Sequence, residues 1–117
     1  MGNVLIVDDD LVNRKLARAI LERAGWTVEE REDGPSALAC FDQQPFDAVL
    51  LDIGMPGMDG REVCRELRRR QQGPLRIVAY TASVLPEEMA VLLESGFDSV
   101  LQKPVSIQAV ELALRRA

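Results

Sequence analysis

Residues Val4-Leu5-Ile6-Val7-Asp8-Asp9-Asp10 carry the reading on which the fold depends. The first four are apolar, mostly β-branched and without polar alternation, which is the pattern of a short strand buried on both faces. Three carboxylates then end it. From Leu11 to Ala24 the periodicity changes: Val12, Leu16, Ile20 and Ala24 recur every fourth residue, Ala17 and Leu21 widen the stripe, and Gly25 follows as a terminator. That spacing predicts an amphipathic helix with Asp10 as its N-cap.

The same alternation of strand-length run and helical pattern repeats to the end of the chain. Trp26 to Arg31 reads as a more exposed edge strand, and Gly34-Pro35-Ser36 opens a helix containing Ala37, Leu38 and Phe41. Asp47 to Leu51 is a second fully buried strand, stopped at Asp52, and Ile53 to Gly60 holds too many glycines and prolines for regular structure. A helix then runs through Val63 and Leu67. Leu75 to Tyr80 forms a fourth strand ending at Thr81. Pro86 starts a helix expected to turn Met89, Leu92 and Leu93 inward, and Ser99 to Gln102 is a short fifth strand ending at Lys103-Pro104. The final helix begins near Ser106 and uses Ile107, Val110, Leu112 and Leu114. Five βα units with right-handed crossovers imply an α/β, doubly wound, flavodoxin-like domain: a parallel sheet in order 2-1-3-4-5 with helices on both faces.

A length of 117 residues fits one such domain, residues 1–117, with no room for an output module. The longest unbroken apolar stretches, Ala37 to Phe41 and Met89 to Leu93, are five residues, which excludes a membrane-spanning helix. Met1-Gly2-Asn3 is no signal-peptide lead, so the expected location is cytoplasmic. With 14 basic and 19 acidic residues the net charge is −5, which opposes direct nucleic-acid binding. Cys40 and Cys64 lack metal or redox spacing and read as reduced thiols. Arg61, Arg65, Arg68, Arg69 and Arg70, interrupted by Glu62 and Glu66, read as a solvated helix face favoured by the helix dipole. The chain has no histidine, which removes imidazole acid–base catalysis, Ser-His-Asp and Cys-His nucleophiles and His-ligated zinc.

In a sheet of this order, the binding crevice lies at the carboxyl ends of the first and third strands. Asp8 and Asp9 end the first, Asp52 the third, Thr81 the fourth and Lys103 the fifth. At a separation of roughly 5 Å and an effective dielectric of about 20, each ionised carboxylate pair costs about 3 kcal/mol, so a cation belongs there. Carboxylate oxygens without soft ligands suit Mg²⁺. Lys103 and Thr81 suit phosphate oxygens. Asp52, followed by a glycine-rich loop, is the candidate nucleophile for phosphoryl transfer; Asp9 is the primary metal ligand and Asp8 a ligand or a water-holding group.

Through Val7-Asp8-Asp9-Asp10, the stretch Asp52-Ile53-Gly54-Met55-Pro56-Gly57-Met58-Asp59-Gly60, Thr81-Ala82 and Lys103-Pro104, the chain resembles the response regulator receiver family along its whole length. The resemblance implies a phosphoacceptor of two-component signalling, not a dedicated enzyme. It implies that Asp52 is phosphorylated from the phosphohistidine of a histidine kinase or histidine phosphotransfer protein. Mg²⁺ would be held by Asp9, Asp52 and the backbone carbonyl of Gly54, with Asp8 a water-mediated partner. Thr81 and Lys103 would contact the phosphoryl group, and the Lys103–Pro104 bond would be cis. The flank near Asn13, Arg14 and Ala17, with Pro104 and Val105, is implied to meet the phosphodonor. Thr81-Ala82-Ser83 and Asn13-Arg14 resemble receivers attached to hybrid histidine kinases. Where the family often carries an aromatic three residues before the lysine, this chain has Val100, so a smaller change on the fourth-helix face is expected; Tyr80 is expected to point away from Thr81 by strand alternation. The rival readings are a pseudo-receiver that binds partners without phosphorylation, and a flavodoxin or small phosphohydrolase on the same fold.

Overall fold

The computed structural model describes residues 2–55, 59–82, 85–103 and 106–114. Its strands are β1 (Asn3–Val7), β2 (Thr27–Arg31), β3 (Ala48–Asp52), β4 (Arg76–Thr81) and β5 (Ser99–Gln102), and they form one parallel sheet in the order β2-β1-β3-β4-β5. The intervening helices are α1 (Leu11–Arg23), α2 (Gly34–Gln43), α3 (Gly60–Arg70), α4 (Pro86–Glu94) and α5 (Ile107–Leu114). Topology and element boundaries follow the periodicity closely, and β2 is the edge strand that its mixed pattern predicts.

Alternation along the strands divides the core into two layers. Val4, Ile6, Ala48, Leu50, Val78 and Tyr80 face one side, where Ala17 and Leu21 of α1 and Val110, Ala113 and Leu114 of α5 cover them. Leu5, Val7, Val49, Leu51, Ile77 and Ala79 face the other, under Ala37 and Leu38 of α2, Val63, Cys64 and Leu67 of α3, and Leu92 of α4. Cys40 and Cys64 are buried free thiols, as expected. Burial pushes the Cys64 thiol up to about 11, which keeps it unreactive.

The starts of α1, α2 and α3 are set by aspartates. Asp10 accepts from the amides of Val12 and Asn13, Asp33 from Ser36 and Asp59 from Arg61. Gly60, the first residue of α3, is required by close approach. A Cβ there would lie 2.7 Å from the Ile53 Cα, so the glycine lets the segment after Asp52 press against the start of α3.

Three helical faces differ from the periodicity. On α1 the inward residues are Ala17 and Leu21, whereas Val12 is 76% exposed and Leu16 is exposed too. The helix begins at the carboxyl edge of the sheet, so its first turn has no strand beneath it. On α4 only Leu92 is buried, and Met89 and Leu93 face solvent. A single inward residue holds this helix to the core. On α5 Val110, Ala113 and Leu114 are buried, but Ile107 and Leu112 are exposed.

The basic stretch of α3 also divides. Arg69 pairs with Glu66 and Arg70 with Asp42, as a solvated face does. Arg68 instead turns inward as a clamp. Its guanidinium donates to the carbonyls of Gly96 and Leu75, to Gln71 and to the Asp98 carboxylate, all at 2.7–3.0 Å. Asp98 also accepts from the Ile77 amide at 2.7 Å. One arginine therefore joins α3 to the turns before β4 and before β5.

Candidate functional site

Parallel pairing assembles the site. The register pairs Val7 with Leu51 and Asp52 with Tyr80, which sets Asp8 beside Asp52 at the carboxyl edge. Pairing of Thr81 with Gln102 brings Lys103 to the same rim, and the Lys103 amide donates to the Thr81 carbonyl at 2.7 Å. Carboxylate oxygens of Asp8, Asp9 and Asp52, one from each, lie within 4.8 Å of one another. Asp8 and Asp52 are buried, Asp9 is exposed, and Thr81 is buried at the end of β4.

Each buried carboxylate has one oxygen held by backbone and one turned to Lys103. Asp8 Oδ1 accepts from the Asp10 amide at 2.9 Å, and Asp52 Oδ1 accepts from the Gly54 amide at 2.8 Å. The Lys103 ammonium lies 3.1 Å from Asp52 Oδ2 and 3.3 Å from Asp8 Oδ2. The latter contact is an ion pair without hydrogen-bond geometry, and among the described residues Asp8 Oδ2 has no hydrogen-bond partner. Burial, with Asp52 alongside, pushes Asp8 up to about 6 despite the Asp10 amide and the Lys103 charge. Burial alone would lower the Lys103 ammonium, but Asp52 and Asp8 outweigh it and raise its pKa.

This donor set fits a hard divalent cation. Three carboxylates face one ammonium, the ligating atoms are all oxygen, and a buried Asp8 oxygen has capacity left over. The chain thus brings together Asp8, Asp9, Asp52 and Lys103, with Thr81 on the adjoining strand end.

Other expectations change. Ala17, which periodicity puts on the apolar stripe and only the resemblance puts on the phosphodonor flank, is completely buried under the sheet, as the stripe requires, and cannot meet a partner. Arg14 is mostly buried: its Nη1 donates to the Asp8 carbonyl at 2.7 Å and its Nε to Glu30 at 2.9 Å. Pro104, Val105 and Ser83 lie outside the described residues, and with them the cis Lys103–Pro104 bond. Val100 is half-buried against the layer under α2, α3 and α4. Tyr80 lies in the opposite layer from Ala79, as alternation predicts, yet it remains part of the site because the Lys103 ammonium sits 4.6 Å from its ring centroid. The pattern did not single it out, although it is the chain's one tyrosine and immediately precedes Thr81.

Behind Asp8, Glu30 of β2 accepts from Arg14, Lys15 and Arg18 at 2.7–2.9 Å. Burial would raise this carboxyl, but the hydrogen bonds from Arg18, Lys15 and Arg14 overcome that and bring it from 4.5 to about 2. A folded-state value below the unfolded one stabilises above pH 4.5, and that contribution is lost as pH falls through about 2. Discounted for the water-exposed Lys15 and Arg18, Glu30→Gln is expected to cost about 2 kcal/mol at neutral pH. In urea titrations, the difference from the wild type should shrink as pH is lowered through that window.

Comparison with known proteins agrees with this geometry. A sequence model described as the response regulator receiver domain matches residues 4–115. The sensor histidine kinase GacS of Pseudomonas protegens is 42% identical over 107 residues, covering 88% of this chain and 12% of the kinase, so the chain spans a small part of that relative's length. The chemotaxis protein CheY4 of Vibrio cholerae superposes with a TM-score of 0.89 at 31% identity, over 97% of this chain and 96% of that one. A response regulator of Burkholderia pseudomallei, solved with a phosphorylated aspartic acid and a calcium ion, superposes with a TM-score of 0.86 at 26% identity, over 98% of this chain and 67% of that one. Matched in sequence and in three dimensions over nearly its whole length, the chain belongs to the response regulator receiver domain family of two-component systems.

Proposed function

We propose that this chain is a Mg²⁺-dependent phosphoacceptor that takes a phosphoryl group on Asp52 from the phosphohistidine of a histidine kinase or histidine phosphotransfer protein. The observation that carries this reading is the placement of Asp52 Oδ2, 3.1 Å from the Lys103 ammonium, within the cluster of Asp8 and Asp9. The phosphorylated aspartate of the Burkholderia relative supports it.

In this reading an Asp52 carboxylate oxygen attacks phosphorus, the P–N bond to the donor imidazole breaks, and its electron pair returns to the ring nitrogen. Asp8, Asp9 and Asp52, with the Gly54 carbonyl, would hold Mg²⁺, which when bound offsets negative charge between donor and acceptor. Lys103 opposes the charge on the transferring oxygens from a fixed position. Thr81, at the end of β4, donates its hydroxyl to a phosphoryl oxygen. Asp52 Oδ1 is oriented by the Gly54 amide, so Oδ2 is the attacking atom. The chain thereby assists its own phosphorylation and dephosphorylation and is not a dedicated enzyme. Its similarity to part of a sensor kinase supports attachment to a larger hybrid kinase or regulator, and in this reading the domain acts in the cytoplasm. Among the described residues, no helix is long and apolar enough to cross a membrane.

Incubation with acetyl phosphate and Mg²⁺, followed by intact mass spectrometry, is expected to add one phosphoryl group, and chelation of the metal to prevent it. An unchanged wild-type mass, under conditions that label another receiver domain, contradicts the proposal.

A further inference from the structure

We propose that Tyr80 is a positioning residue that acts through Lys103, its ring face holding the ammonium over Asp52 and Asp8. This inference rests on the phosphoacceptor reading above and names a residue that reading does not use.

Lys103 reaches the site on a flexible side chain. Four methylenes give it many rotamers, and its ammonium must nevertheless meet two carboxylates on different strands. Asp8 and Asp52 attract it from one side. From another, the Tyr80 ring lies 4.6 Å from Nζ, within the range of about 6 Å over which a ring face attracts a cation. The surroundings strengthen that attraction: Tyr80 is completely buried and the Lys103 side chain is only 14% exposed. A ring face also attracts without offering an oxygen or nitrogen acceptor, so the ammonium N–H groups stay free for the carboxylates and an incoming phosphoryl oxygen.

The tyrosine hydroxyl takes no part. Among the described residues it is buried and has no hydrogen-bond partner, and burial together with the nearby Asp8 and Asp52 keeps the phenol protonated. Removing that hydroxyl therefore leaves the proposed role in place, which separates ring from hydroxyl in a test.

Phenylalanine and its progressively fluorinated analogues, placed at position 80, keep nearly the same shape while draining the electron density of the ring face. The rate constant for phosphorylation by acetyl phosphate at saturating Mg²⁺ is expected to stay within about twofold of the wild type in Tyr80→Phe. It should fall steadily with fluorination, to about thirtyfold lower for the most fluorinated ring, the size of one desolvated cation–π contact. Tyr80→Leu should fall by a similar factor. If the leucine variant does not fold, the fluorinated series, whose packing is kept, still decides. As a readout that needs no phosphorylation, the Lys103 ε-methylene protons should show an upfield ring-current shift in the wild type and Tyr80→Phe. A rate that does not change across the series, or unshifted ε-methylene protons in the wild type, overturns the role of Tyr80. Failure of the wild type to take up phosphate at all overturns the phosphoacceptor reading instead.

Discussion

Lys103→Ala is expected to slow phosphorylation of Asp52 by about 10²- to 10³-fold, the usual cost of removing one fixed donor aimed at developing negative charge. The same substitution should strengthen Mg²⁺ binding. In the wild type the ammonium already lies against Asp52 and Asp8, so an arriving cation shares those oxygens with it. Without it, both carboxylates face the metal alone. Phosphorylation kinetics with acetyl phosphate and calorimetric Mg²⁺ titration on the same protein would read the two effects. Opposite signs are the prediction. A fall in both, with unchanged thermal unfolding, would mean that Lys103 organises the metal site and does not oppose phosphoryl charge.

Arg68→Ala should destabilise the domain by about 3 kcal/mol, because it strips hydrogen bonds from the Leu75 and Gly96 carbonyls and leaves the Asp98 carboxylate without its cation. For a domain of this size that is roughly a 10 °C fall in the unfolding midpoint. Arg68→Lys should recover less than half of it, since a single ammonium cannot span acceptors that precede two different strands. Calorimetry would measure both. Because Arg68 sits at the amino ends of β4 and β5, away from the carboxyl edge that holds Asp52, uptake of phosphate by Asp52 below the melting range should be kept.

These two residues also mark where the sequence was legible and where it was not. Strand-length runs ending at Asp8, Asp52, Thr81 and Lys103 could be read directly, because in a parallel sheet every strand delivers its last residue to the same edge. Asp10 could be recognised as a cap because capping is a local property of the residues that follow it. Arg68 could not be told from Arg69 and Arg70, because what separates them is the position of carbonyls distant in sequence. Tyr80 escaped for a related reason: strand alternation gives the face of a side chain, but not the path by which Lys103 folds back over it. Periodicity likewise placed Val12, Leu16, Met89 and Leu93 on apolar stripes without showing where the sheet beneath them stops. The resemblance that pointed to Ala17 as a contact residue met the same limit, since the covering sheet buries it.

Phosphate carriage by Asp52 underlies every role proposed for the site. Its most direct test is to trap the acyl phosphate formed from acetyl phosphate and Mg²⁺ by borohydride reduction, and to locate the modified residue by tandem mass spectrometry. The predicted result is a single modified position, Asp52, absent from Asp52→Asn. Modification found at Asp8 or Asp9, or persisting in that variant, would contradict it.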